Sequence, residues 1–376
     1  MEKILIKNGL IYDPLTKRKE IGDIAIAGSQ IVDPGDFDFP LVIDAAGCLV
    51  VPGLIDFHLH CFSAVSDVAV DADILCLPNG VTTCVDAGTA GTAGFESCYR
   101  QHVCSSITTI KALLHVAPGG LVTARHPENQ APGVWDGEAV RLLVKKYLSV
   151  IVGLKVRMSA SVLEPFHLSI EPLAEAVSLA EELRLPVVVH VNDPNVEIGA
   201  ITSLLRGGDV FCHMYAGEEK NILDSGMIKA EIHDARKRGV IFDACNGKNN
   251  FLFQVAFPAI KQGFLPDIIS SDLNRSCVYR QPVISLPRLL SKYLALGMDL
   301  YDVIDTVTIN PARWLGVQDM GTLRKGTVAD VALFKVEEKQ CTFFDCHQAS
   351  VQGNQVLVPQ LTIKDGTVVY CQSDFL

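Results

Sequence analysis

From residue 51 onward, short apolar runs rich in Val and Ile alternate with stretches of helical period. The runs fall at 51–60, 81–87, 110–117, 151–156, 186–191, 209–215, 240–245 and 267–271. They are short and lack the polar alternation of a half-exposed strand, so each predicts a strand buried on both faces. Segments such as 137–148 and 169–185 predict helices between them. Eight strands alternating with helices predict parallel βαβ units closed into a (β/α)8 TIM-like barrel. A doubly wound open sheet is the other α/β arrangement, but it rarely needs eight such units.

The two ends of the chain read differently from the middle. Strand-like runs at 3–6, 23–27, 41–44, 327–335 and 360–370 sit among turns such as Lys325-Gly326 and Asp365-Gly366. The expected organisation is one small β-sandwich domain built from residues 1–50 and 317–376, with the barrel, residues 51–316, inserted between them. Residues 118–135 form a long loop after the third barrel strand, with a Gly119-Gly120 pair and three prolines. A loop of that length in a compact domain is commonly functional, and its place in the order puts it over the barrel mouth.

Composition narrows the classes. The chain has 376 residues, 49% of them hydrophobic, which suffices for a large core. A net charge of -11 and the lack of a basic stripe exclude a nucleic-acid binder and leave a small-molecule substrate. The segment MEKILIKNG lacks the apolar region of a secretory leader, and no stretch approaches 18 apolar residues. The expectation is a cytoplasmic protein with no membrane span. The 12 cysteines include no C-x-x-C pair and read as reduced thiols.

The candidate chemistry sits where the strands end. His58 and His60 close the first barrel strand, and residues two apart on a strand face one way, so both imidazoles can address one metal. Lys155 interrupts the apolar fourth strand. A lysine buried there is costly as a cation, and its neutral amine can take up carbon dioxide to become an anionic carbamate; the other reading is a strand-end lysine that reaches solvent. His190 and His213 end the fifth and sixth strands, as ligands or as core histidines. Asp272 ends the eighth, as ligand and proton shuttle or as a helix N-cap. Six candidate ligands thus gather at one barrel face, where such barrels carry their sites. Nitrogen and oxygen donors suit two divalent ions, zinc first, with manganese, iron or nickel as alternatives. Arg125, His126 and Asn129 in the long loop, with Arg157 and Tyr215, are the candidate substrate contacts, being donors suited to a carboxylate.

These residues resemble the amidohydrolase superfamily over nearly the whole chain. Val51-Pro52-Gly53-Leu54-Ile55-Asp56-Phe57-His58-Leu59-His60 is similar to its opening motif. Asn310-Pro311-Ala312-Arg313 and residues 321–330 (GTLRKGTVAD) are similar to its closing one. Gly153-Leu154-Lys155-Val156-Arg157 and Cys212-His213-Met214-Tyr215 look like its deacetylase subgroup, whose members are often labelled dihydroorotase-like or adenine-deaminase-like. The resemblance implies that His58, His60 and Asp272 hold one metal and His190 and His213 the second, with carboxylated Lys155 bridging. It also implies a homo-oligomer. The implied activity is hydrolysis of an amide or ester of a small, carboxylate-bearing molecule, deacylase or deacetylase in type. A hydroxide bridging the metals would attack, and Asp272 would act as base and then acid. The alternatives are a cyclic-amide hydrolase of dihydroorotase or hydantoinase type, an adenine-type deaminase and a non-catalytic scaffold. Dihydroorotases carry an arginine shortly after H-x-H, whereas Cys61 and Phe62 follow here; adenine deaminases generally lack the bridging lysine.

Overall fold

The computed structural model describes residues 3–36 and 38–375. Strands β1 (Lys3–Asp13), β2 (Arg18–Ala27), β3 (Gln30–Val32), β4 (Leu41–Asp44) and β5 (Leu49–Pro52) precede the barrel. The barrel contributes β6 (Leu54–Leu59), β7 (Val81–Asp86), β8 (Thr109–His115), β9 (Ile151–Arg157), β10 (Val187–His190) and β11 (Val210–Cys212). A two-residue hairpin, β12 (Leu223–Asp224) and β13 (Met227–Ile228), precedes β14 (Ile241–Asp243). After the barrel come β15 (Val331–Phe344), β16 (Ser350–Lys364) and β17 (Thr367–Cys371).

Seven barrel strands are hydrogen-bonded in parallel in the order β14-β11-β10-β9-β8-β7-β6. The predicted eighth strand survives only as two parallel bridges, Asp243 to Ile268 and Leu59 to Leu273, yet these span the gap between β14 and β6 and close the ring. Its backbone is committed on both sides: Ala244 N donates to Ile268 O at 2.9 Å and Asp272 N donates to His58 O at 2.7 Å. The barrel interior is filled by apolar side chains from its strands, among them Val85, Leu113, Val188 and Val210. Two residues beyond Val85, Leu113 and Val188 the same face reaches the mouth, which brings Ala87, His115 and His190 to it.

The apolar stretch at 51–60 predicts one strand, but Gly53 divides it. Leu49–Pro52 pairs with β15 and β1, while Leu54–Leu59 pairs with β7. Burial is complete on both sides of the break, so hydrophobicity carries no sign of it.

Strands from the two chain ends form one sheet in the order β17-β16-β15-β5-β1-β2-β3, with β4 added on β1. This sheet closes over its own core. Ile4 and Ile26 share a buried cluster with Val331 and Ile363, and Ala329 N donates to Ser29 O at 2.9 Å while Gly366 N donates to Ala329 O at 3.0 Å. Helices cover the barrel as the sequence predicts. The helix Glu171–Leu183 starts with Pro172 in its first turn, buries Leu173, Ala176, Leu179 and Ala180 on one face and ends at left-handed Arg184. Among the described residues no helix is long and apolar enough to cross a membrane.

Candidate metal centre

His58 and His60 leave β6 at its carboxyl end. That strand shifts register between Asp56 and Leu59, which turns both rings into the barrel. The ring centroids of His58 and His60 lie 5.9 Å apart, those of His58 and His213 5.4 Å, and those of His190 and His213 4.3 Å. Asp272 Oδ1 is 3.2 Å from His60 Nε2 and 4.0 Å from His58 Nε2. One donor atom each from His58, His60 and Asp272 lies within 4.8 Å of the others, close enough to share an ion. Lys155 Nζ approaches His58 Nε2 at 3.4 Å. The structure thus brings together all six residues singled out from the sequence.

Hydrogen bonds engage one nitrogen of His213, His190 and His60. His213 Nδ1 pairs with the Cys245 carbonyl at 2.7 Å, so it carries the proton, and its Nε2 is a buried acceptor without a partner. His190 Nε2 meets Ser159 Oγ at 2.9 Å. His60 Nδ1 meets Thr89 Oγ1 at 2.9 Å, and the Thr89 hydroxyl donates to Asp86 Oδ2 at 2.7 Å. Thr89 has therefore spent its proton and accepts one from His60, which leaves His60 Nε2 as a lone pair. Ring nitrogens held this way are the usual support of metal-bound histidine. Burial, then the nearby Lys155 and His213, hold His58 well below the ordinary histidine value. Burial and His213 do the same to His190. Burial brings His213 down to about 4. Neutral imidazole is the ligating form. Burial alone would raise Asp272, but the nitrogen groups around it, His60 nearest, outweigh burial and hold its carboxyl below the ordinary value.

Room for Lys155 depends on Gly88. A Cβ at that position would lie 2.6 Å from Lys155 Cβ, and its φ of +83° favours glycine. Lys155 is 2% exposed, and no carboxylate lies within ion-pair distance of it among the described residues.

Above these groups opens a cavity of about 1190 Å³. Five of the six line it; His213 lies beneath. Of the expected substrate contacts, Arg125, His126 and Arg157 line the cavity. Tyr215 and Asn129 do not. The Tyr215 ring is fully buried and its hydroxyl donates to Phe264 O at 3.1 Å, because the chain turns at left-handed His213 and sends Tyr215 outward into the helical layer. Asn129 folds back to accept from Ala131 N at 3.0 Å and borders a neighbouring pocket of about 390 Å³.

Sequence reasoning passed over Ser159 and Thr89 and gave Asp86 and Glu128 no role at the site. Glu128 binds Arg157 at 2.9 and 3.1 Å and lies 3.4 Å from His115 Nε2. The Asp86–Thr89 pair had a readable signal, since Asp86 Oδ1 accepts from Thr89 N at 2.8 Å in the tight turn that such a spacing favours after a strand.

The amidohydrolase family model matches residues 49–369 of the chain. The chain belongs to the amidohydrolase family. This amidohydrolase is 27% identical to a deacetylase of Enterococcus faecalis over 97% of its own length and 98% of that protein's. It is 31% identical to a deacetylase of Agrobacterium fabrum over 83% of its own length and 76% of the other's. A crystal structure of a dihydroorotase superimposes with a TM-score of 0.90 at 26% identity, over 99% of this chain and 98% of that one. The family's members are metal-dependent hydrolases, and the orphaned His213 Nε2 and the clustered His and Asp donors fit divalent ions in this amidohydrolase.

Proposed function

We propose that this amidohydrolase removes an acyl group, acetyl first, from a small anionic molecule by hydrolysing its amide or ester bond. The observation that carries this reading is Lys155: buried, without a carboxylate partner among the described residues, and with its Nζ 3.4 Å from His58 Nε2 in the midst of the histidine cluster. An ammonium ion is poorly served there. Addition of its neutral amine to carbon dioxide, with loss of one proton, makes a carbamate whose two oxygens suit two ions. In this reading His58, His60 and Asp272 would hold one zinc ion and His190 and His213 a second, with carboxylated Lys155 as their shared ligand. Bound there, the ions polarise the acyl carbonyl and lower the pKa of water toward neutrality. Asp272 accepts the water proton and returns it to the leaving group.

Arg125, His126 and Arg157 face the cavity as substrate contacts, and Lys248, Arg275 and Arg280 join Arg125 at its rim without carboxylate partners among the described residues. Such a rim on a chain of net charge -11 suits a carboxylate-bearing substrate. The names of the two deacetylases support the acyl reading. Residues 51–316 are proposed as the catalytic unit, with 1–50 and 317–376 as the second domain. A cytoplasmic setting and self-association belong to the same proposal. A cyclic-amide hydrolase is the second reading, favoured by the likeness to the dihydroorotase structure.

The test is metal content and native intact mass of wild type and Lys155→Ala, followed by a panel of acyl esters, acyl amides and cyclic amides. About two ions per chain, a mass increment of one carbon dioxide, and loss of both in the variant are expected, with acid released from acyl substrates. One ion or none, unchanged by the substitution, or release of ammonia in place of a carboxylic acid, overturns the reading.

A further inference from the structure

Asp272 has two carboxylate oxygens, and only Oδ1 faces the histidines. Its Oδ2 accepts a hydrogen bond from Asn250 Nδ2 at 3.1 Å. The orientation of that amide is settled by a second bond, in which Asn192 Nδ2 donates to Asn250 Oδ1 at 2.8 Å. A flipped Asn250 would set oxygen against the carboxylate and nitrogen against a donor, so only one orientation satisfies both neighbours. Asn250 is buried, whereas Lys248 and Asn249 before it are exposed.

The loop that presents Asn250 is built to approach this carboxylate. Gly247 has φ +54°, and a Cβ there would lie 2.2 Å from Asp272 Oδ2. The backbone of Asn246 and Gly247 donates to Ser270 O and Ser271 O at 3.2 and 3.1 Å, which stitches the loop to the strand that carries Asp272. Its far end is anchored from outside the barrel. At the tip of the β15–β16 hairpin, Asp345 Oδ2 accepts from Phe253 N at 3.1 Å, and Cys346 N donates to Phe251 O at 3.1 Å. Asp345 is 2% exposed and also accepts from His347 N and Ala349 N at 2.9 and 3.0 Å, so the tip is a rigid turn.

We propose that Asn250 is a positioning residue for Asp272, held by the terminal sheet's long hairpin, which orients the carboxylate so that Oδ1 faces the metal side. The inference rests on the hydrolase reading, in which Asp272 moves the proton. With an N–H fixed on Oδ2, rotation of the carboxylate breaks a buried hydrogen bond, so the productive rotamer is favoured before substrate arrives. Neither side-chain hydrogen bond of Asn250 goes to a histidine or to Lys155, so its removal acts on the proton-transfer step and leaves the ion count alone.

The experiment compares wild type, Asn250→Leu and Asp345→Ala as cobalt-loaded and zinc-loaded proteins. Metal per chain, the visible cobalt spectrum, melting temperature, and kcat and KM on p-nitrophenyl acetate are measured for each. For Asn250→Leu we expect kcat about 10–100-fold lower, the range typical of a lost partner to a ligand residue, with KM within about threefold. The cobalt bands shift and two ions per chain are kept. Asp345→Ala, remote from the cavity, shows the same pattern at smaller size. Wild-type kcat in Asn250→Leu, a change in KM alone, or loss of metal in proportion to activity each overturns the proposal. A wild type that binds no metal and cleaves no ester overturns the hydrolase reading and this inference with it. A competent wild type beside an unchanged Asn250→Leu variant overturns the inference alone.

Discussion

His213, just after β11, and Asp272, in the bridge segment that closes the ring, have φ of +64° and +52°, a conformation that costs a non-glycine residue free energy. The surrounding backbone holds them there: Met214 N donates to Asp243 O at 3.2 Å, and Asp272 N to His58 O at 2.7 Å. The strain turns each side chain across the mouth instead of along the strand. At this scale the ligand set was legible, because each ligand follows a run of buried apolar residues and is itself an unusual residue to find there. Its supports were not legible. Ser159, Thr89 and Asn250 are common polar residues in loops, and what gives them a role is a ring or carboxylate distant in sequence. Thr89 offers the sharpest check. Thr89→Val keeps the shape but gives His60 Nδ1 no acceptor, so competition with a chelator should show metal affinity about 10–100-fold weaker. Thr89→Ser should restore it. Equal affinity in all three proteins would separate Thr89 from the metal site.

Residues 118–135 show how an element can be located correctly from sequence and still be misread. Length, glycines and prolines mark them as a loop over the mouth, but the inside of the loop is a fastening. The buried Gln130 side chain donates to Arg157 O at 2.8 Å and accepts from Arg157 N at 2.8 Å, so it extends the edge of β9 as a strand would. The Trp135 indole N–H donates to Gln130 O at 3.0 Å. Glu128 locks the Arg157 guanidinium. Burial opposes its ionisation, but Arg157 and His115 outweigh burial and bring its carboxyl down to about 2. A folded value below the unfolded one means stability that is fully present above about pH 4.3 and lost as pH falls toward 2. Glu128→Gln should therefore cost up to roughly 3 kcal/mol at neutral pH, and the gap in urea midpoint to wild type should narrow between pH 5 and pH 3. A gap independent of pH would assign the loss to packing. The hairpin of β15 and β16 is the opposite case, since its length was hidden. Glu337, Glu338, Lys339 and Gln340 are exposed, which ends the apolar pattern, and what carries the strands onward is docking on the barrel: the tip on the loop at 251–253, and Thr342 O and Leu357 N on Arg288 and Ser291.

For the molecule as a whole, alternation and count predicted the barrel, and the similarity of the two ends predicted their shared sheet. The weak eighth strand and the break at Gly53 were invisible because they are changes of hydrogen-bond partner, not of hydrophobicity. Ions at the mouth would join residues from β6, β9, β10, the turn after β11 and the bridge segment that closes the ring. Removing them should therefore loosen the barrel globally, and exhaustive chelation should lower the calorimetric midpoint by on the order of 10 °C, recoverable with zinc. An unchanged midpoint would mean that the ring holds without them. The sheet also sets an order of events. Val331 of β15 pairs directly with Pro52 of β5, so the barrel leaves and rejoins the sheet at hydrogen-bonded neighbours. Roughly 280 residues of chain lie between them. At bacterial or eukaryotic synthesis rates of about 5–20 residues per second, the apolar faces of β1, β2 and β5 wait on the order of 15–55 s for their partners to leave the ribosome. The nascent protein spends that interval with half a core and an open strand edge, a natural client for a chaperone that binds exposed β-structure.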